Sequence, residues 1–443
     1  MDIIFRNATI VTDGLEMTGD LAVRDGVVKA IGDLSSLAAA RIIPCDGKIL
    51  MPGAVDLGLN LADGGVFDPK TTASFAQASR HAALGGVTTI INAVELDDAI
   101  APSAAIKAHV DIDGSRAFVD FGYHVLLSAW TDRHAALSRE AVTAGVPSFW
   151  LARNGAASPQ PAPALLQAAI QNLPDESIVI TSPWDAAFCD AQARGNGNGS
   201  LFNDQLEAAF VASLEPFADV GSCKILLNGI STPQALEALC HARGVCSRIA
   251  ATCNLANLVY TEADGDAAPK CWPPVGTKVD QQALFAALEE GIVNAISSGH
   301  KPRTAAELAT AKAQRSPIIG APSLAHFIPA IHGEGVLKWR LSLATMSYAA
   351  CSEPAKLAGL YPRKGSLQIG SDADIVLLDP SQICNVVESE SFAMSSIPNP
   401  YAALKLGGRV CDVFVRGRQV VEAGELTNNA QGTFQSRRIS LRG

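Results

Sequence analysis

The sequence predicts an α/β fold: a (β/α)8 TIM-like barrel with a small β-sandwich formed from both termini. Three observations predict it. Short β-branched runs alternate with Ala-rich helical stretches from about residue 50 to residue 355. Strand-like runs broken by turn residues occupy both ends of the chain. At 443 residues and 48% hydrophobic, the chain exceeds the size at which a single core stops growing, so a large domain with a smaller companion is expected. The boundaries read as 1–50 and 359–426 for the two parts of the sandwich, 51–358 for the barrel and 427–443 for a polar tail.

The opening strands are Ile3–Phe5, Thr9–Val11, Asp20–Val23 and Val27–Ile31, separated by Asn7, Asp13-Gly14 and Asp25-Gly26, the last of these a hairpin signal. The barrel strands are read at Val87–Ile91, Asp120–Leu127, Ser148–Leu151, Ile178–Ile180, Lys224–Leu227, Ser247–Thr252 and Ile292–Ile296. Helices fall at Thr72–Leu84, Leu137–Thr143, Ala164–Asn172, Pro233–Ala242 and Gln281–Glu290. About eight such units over about 300 residues are most economically closed as a barrel. Strands return at Gly365–Leu367, Ala373–Leu378, Val410–Val415 and Gln419–Glu422. The tail carries Arg437, Arg438 and Arg442, and reads either as an arm across a subunit interface or as disordered chain. Gly195–Ser200 and Glu262–Pro269 read as loops over the barrel mouth.

Composition excludes several classes. A net charge of −10 with no basic run among aromatics argues against nucleic acid. The N-terminus lacks the pattern of a signal peptide, and no apolar run is long enough for a membrane span, so a cytoplasmic protein is expected. The ten cysteines are scattered singly, which fits small buried hydrophobes rather than a zinc knuckle.

Several segments resemble one family. They are Lys48–Asp56, Ala82–Thr89 with its Gly85-Gly86 turn, Val119–His124, Gly145–Phe149, Pro273-Pro274 with Lys278-Val279-Asp280, and Gly359–Gly365 running on to Gly370–Val376. In this order and spacing they are similar to the dihydropyrimidinase/hydantoinase branch of the amidohydrolase superfamily, which also holds dihydroorotase and allantoinase. The resemblance covers nearly the whole chain. It implies two divalent metals that activate water against a cyclic amide, held by a His-x-His pair, a carbamylated lysine, two further histidines and an aspartate at strand ends.

Those residues are not found where the resemblance puts them. Gly58 and Asn60 occupy the region of the His-x-His pair. Trp150 takes the place of the lysine, Asn228 stands at the sixth-strand position and Gly299 at that of the aspartate. The fifth-strand histidine is expected near Thr181-Ser182, before Trp184. No histidine lies between His134 and His241, the span expected to hold strands five and six. Trp272 follows strand seven. The substrate-holding motif reads Ile319–Ser323, and the expected tyrosine is missing from Ala152–Gly155. No metal and no other cofactor is therefore expected.

Other chemistry is thin. His300, Cys253 and Arg153 are the candidate catalytic residues, with His300 as a base for the Cys253 thiol and Arg153 as an anion contact at the mouth. His124 and His81 read as structural histidines, and Asp97-Asp98 as a solvated loop. The sequence thus points to a non-catalytic relative that serves as a structural or regulatory subunit. It would form a homo-oligomer, dimer or tetramer, or a hetero-oligomer with an active enzyme. A metal-independent hydrolase on cyclic amide C–N bonds and a binding protein for a small cyclic amide remain the alternatives.

Overall fold

The computed structural model describes residues 1–61, 72–96, 100–151, 162–183, 204–217, 220–271, 273–302, 320–384, 399–428 and 431–439. Two sheets organise it. Eight parallel strands follow one another in chain order: β6 (Ala54–Leu59), β7 (Val87–Val94), β8 (Asp120–Leu127), β9 (Ser148–Leu151), β10 (Ile178–Thr181), β11 (Lys224–Asn228), β12 (Ile249–Asn254) and β13 (Ala295–Ser297). Helices α1 (Thr72–Leu84), α2 (Pro102–Gly114), α3 (Asp132–Thr143), α4 (Ala162–Asn172), α5 (Asp204–Ala212), α6 (Pro233–Val245), α7 (Leu255–Val259) and α8 (Lys278–Glu289) alternate with them. Parallel neighbours need a crossover, and the helices supply it.

The eight-stranded sheet nearly closes on itself. No ladder joins β13 to β6, yet Asp56 spans the seam. Its Oδ1 accepts from Ser298 N (2.8 Å) and Gly58 N (3.1 Å), and its Oδ2 accepts from Ser298 Oγ (2.5 Å). Side chains alternate between two layers. Val55, Leu57, Ile91, Leu126, Trp150, Ile180, Leu226, Ala250 and Ala295 fill the lumen. Phe121, Val125, Leu151, Leu227, Cys253 and Ile296 pack outward with helix residues such as Leu236 and Leu288.

The second sheet has nine strands. They are β1 (Ile3–Thr12), β2 (Leu15–Arg24), β3 (Val27–Gly32), β4 (Arg41–Pro44), β5 (Ile49–Pro52), β14 (Ile375–Cys384), β15 (Leu406–Val415), β16 (Arg418–Glu422) and β17 (Glu425–Leu426). Most pairs are antiparallel, and β5 against β14 joins the two ends of the chain, as expected. The turn Asp25-Gly26 has φ of 54° and 72°, the conformation a tight primed hairpin needs.

Four readings change. Ile3–Phe5 and Thr9–Val11 are one strand, because Asn7 (φ 56°) sits at a break in register between Phe5 and Ala8 rather than at a turn. Asn7 is fixed there by Asp20 Oδ1 (2.9 Å) and by a side-chain bond to Asp46. Gly365–Leu367 is not a strand, since the Ser366 hydroxyl is drawn to Asp13 and Leu367 N to Thr12 Oγ1. Helix α3 begins at Asp132 instead of Leu137. Its capping box pairs Thr131 with His134, where a Glu or Gln would be the usual signal. In the tail, residues 431–439 pack against the chain's own barrel. Phe121 N donates to Thr433 O (3.1 Å), and Gln435 N donates to Phe121 O (2.7 Å).

Candidate functional site

Barrel sites form where strands end, and the strand ends here bring a neutral set together. Asn228 ends β11, Thr252 and Asn254 lie on β12, and Ser297 ends β13. Thr252 Oγ donates to Asn228 Oδ1 (3.1 Å), Ser297 Oγ donates to Asn254 Oδ1 (2.6 Å), and Asn228 Oδ1 lies 3.5 Å from the same Ser297 hydroxyl. These amides and hydroxyls are cross-linked from strand to strand. They can offer hydrogen bonds to an uncharged molecule, but they carry no formal charge.

Two glycines beside this set disfavour a side chain, Gly58 by crowding and Gly299 by its backbone conformation. A Cβ on Gly58 would come 2.7 Å from Ser297 Cβ, and one on Gly299 (φ +58°) would touch the Asn254 amide at 3.4 Å. Trp150 is nearly buried within the lumen, and its indole meets the His124 ring edge-on at 5.7 Å. Asn60 lies past the end of β6 and is partly buried. Strands β10 and β11 both fall within the stretch free of histidine. Among the described residues, no group of three His, Cys, Asp or Glu could hold a metal ion.

Of the three candidate catalytic residues, His300 and Cys253 are described, and they face different surroundings. His300 follows β13, but it turns toward the loop at 321–324. Its Nδ1 accepts from Ser323 N (3.0 Å) and Leu324 N (3.2 Å), and its backbone bridges to Ala321. Burial, reinforced by His81 and His326, pushes the imidazole well below 6.5. Cys253 points into the outer layer, and burial pushes its thiol up to about 12. A thiol held there is not ionised at neutral pH. No hydrogen bond joins Cys253 to His300. Arg153 lies outside the described residues, as do Trp184, Trp272, Asp97-Asp98, Ala152–Gly155 and the loop Gly195–Ser200; Glu262–Ala267 forms a 3-10 turn.

His124 is a structural histidine: its Nε2 bonds Leu57 O (3.2 Å) and its Nδ1 bonds Ser148 Oγ (2.7 Å). His81, on α1, is buried beside His300, with ring centroids 6.1 Å apart. Thr252, Asn254 and Ser297 were not singled out as site residues. The period of the strand could have found them, because if Cys253 faces out, its neighbours Thr252 and Asn254 face in.

Comparison with known proteins agrees with this architecture. The amidohydrolase family profile matches residues 336–420. A D-hydantoinase of Rhizobium radiobacter is 28% identical, aligned over 99% of both chains. An L-hydantoinase of Paenarthrobacter aurescens is 28% identical over 99% of this chain and 98% of its own. A solved D-hydantoinase structure superposes with a TM-score of 0.87 at 26% identity, covering 99% of each chain. By fold and by full-length similarity, the chain resembles hydantoinases, and residues 336–420 carry the amidohydrolase family pattern.

Proposed function

We propose that this chain is a hydantoinase-like protein without a binuclear metal site, a non-catalytic homologue that serves as a structural or regulatory subunit. The donor set at the strand ends carries the reading. Two divalent cations with a bridging hydroxide call for imidazoles and carboxylates, and the described strand ends offer Asn228, Asn254, Thr252, Ser297 and the Trp150 indole. Amide and hydroxyl oxygens are weak ligands for zinc-type ions; Gly58 leaves no space for a stronger donor, and the φ of +58° at Gly299 disfavours one. The described residues do not fit the metals of the resemblance.

The retained mouth favours a second role for the same site. Its neutral hydrogen-bonding groups suit a small uncharged cyclic amide, and occupancy would stabilise the fold by mass action. A metal-independent hydrolase finds less support, because neither His300 nor Cys253 is placed to act as base or nucleophile. An oligomer, with itself or with an active relative, belongs to the subunit role.

Metal analysis of protein produced in zinc- and manganese-supplemented medium tests the reading. The expected result is far less than one equivalent of metal and no turnover of hydantoin or dihydrouracil. Two equivalents of metal with turnover would overturn it. For the binding role, hydantoin should raise the melting temperature of the wild type and not that of the Asn228→Ala/Ser297→Ala double variant.

A further inference from the structure

The floor of the barrel holds an unusual group. Arg437, from the C-terminal tail, is 1% exposed. Its Nη2 donates to Tyr123 O and to Ser148 Oγ (2.6 Å), and its Nη1 reaches Ala358 O (3.5 Å) at the end of the short helix Glu353–Ala358. Its Nε has no hydrogen-bond partner, and no carboxylate pairs with it among the described residues. A buried cation without a counter-ion is costly, and surface-exposed arginines avoid that cost altogether. The carbonyls and the serine hydroxyl offset part of it. Backbone bonds bring the tail to this place: Arg437 N donates to Gly145 O (3.0 Å), while Phe434 stacks on Tyr123 and Ile439 joins the lumen cluster.

What Arg437 touches leads upward. The Ser148 hydroxyl has one proton and two acceptors within reach, Tyr123 O (3.2 Å) and His124 Nδ1 (2.7 Å). The imidazole is the nearer of the two, and Arg437, donating to Ser148 Oγ, occupies a lone pair of that oxygen and leaves its proton to point at His124 Nδ1. His124 Nδ1 is then an acceptor, and its Nε2–H donates to Leu57 O on the first barrel strand. The Trp150 indole, in the lumen cluster, rests edge-on against that ring.

We propose that Arg437 is a positioning residue: through Ser148 it fixes the tautomer and orientation of His124, and with them the Trp150 indole, so that the tail sets the packing of the barrel lumen. The cation also opposes a second positive charge beside it; burial first, and then Arg437, hold His124 well below 6.5.

The test is spectroscopic. Nitrogen-15 spectra of histidine-labelled wild-type protein should show His124 with a protonated Nε2 and an imine-type Nδ1. Fluorine-19 spectra of fluorotryptophan-labelled protein, with Trp150 assigned through Trp150→Phe, report on the indole. Arg437→Met should give a mixture of His124 tautomers and a displaced Trp150 resonance. If that variant does not fold, Ser148→Ala cuts the middle link with the arginine in place, and the same two changes are expected. A wild-type ring protonated at Nδ1 would overturn the proposal. So would a folded Arg437→Met or Ser148→Ala protein with wild-type His124 and Trp150 signals.

Discussion

His81 and His326 are held neutral by their surroundings. Burial lowers His81 from 6.5 to about 4 and His326 to about 3, and His300 between them is lower still than the free side chain. The sign of the linkage follows. A histidine whose folded value is depressed leaves the unfolded chain binding more protons, so stability is whole above about 6.5 and is lost as pH falls from there toward about 4. Each such group contributes a slope of at most roughly 1.4 kcal/mol per pH unit. Chemical denaturation between pH 7.5 and 4.5 should therefore show stability falling steadily below 6.5, and less steeply in His81→Gln. An equal slope in that variant would remove this histidine as a cause. Sequence identified His81 and His124 as structural, because a lone histidine on an apolar face rarely finds a ligand partner. It placed His300 near Cys253 because it tracked the strand without its parity, and one residue of parity separates lumen from outer layer.

At the level of elements, the turn between α1 and β7 depends on two adjacent glycines. Gly86 has φ of +79°, and a Cβ on Gly85 would lie 1.8 Å from Leu324 O. That carbonyl belongs to backbone and cannot swing aside as a side chain would. Gly85→Ala must push α1 away from the segment at 324–328, which it also meets through the bond from Ile328 N to Gly85 O (3.1 Å). The expected cost is about 2–3 kcal/mol, at the upper end of ordinary overpacking, and urea titration would measure it. A loss below about 0.5 kcal/mol would show that the segment gives way freely. The glycine pair was legible only as part of a resemblance. Its cause was not, because the residue it must avoid is more than 200 positions away in the chain. Five of the barrel helices were legible as Ala-rich stretches between strands, while α2, α5 and α7 were not; α6 opens as read, with Thr232 Oγ accepting from Ala235 N (3.3 Å) just before Pro233. Where the cap was atypical, at Thr131 with His134, the start of α3 was missed by five residues.

Across the whole molecule, barrel, second sheet and tail meet at a single buried charge cluster. Lys364 Nζ lies 2.6 Å from Asp120 at the start of β8, 2.7 Å from Asp374 and 2.9 Å from Asp372, and is wholly buried. Arg416, in the turn between β15 and β16, also bonds Asp120, and Thr433 of the tail donates its backbone N to the same oxygen (2.9 Å). Burial alone would raise the Asp120 carboxyl; Lys364 and Arg416 outweigh it and hold Asp120 below its usual value. Sequence showed Lys364 within the run Arg363-Lys364-Gly365 but could not reveal this role, since its partners come from segments about 10 and 244 residues away. Lys364→Met removes the one cation shared by three carboxylates. Breaking a buried network from one side costs roughly 3–5 kcal/mol, far more than the loss of a surface pair. The cost has a direction as well as a size, because the cluster joins the barrel to the sheet. In differential scanning calorimetry the wild type should unfold in one transition, and Lys364→Met should separate an early transition of the second sheet from a later one of the barrel. A variant that still melts once, within about 1 °C of the wild type, would mean that β5 and the apolar contacts beneath it hold the two sheets together unaided, since a loss of even 1 kcal/mol shifts the midpoint of a large domain by more than that.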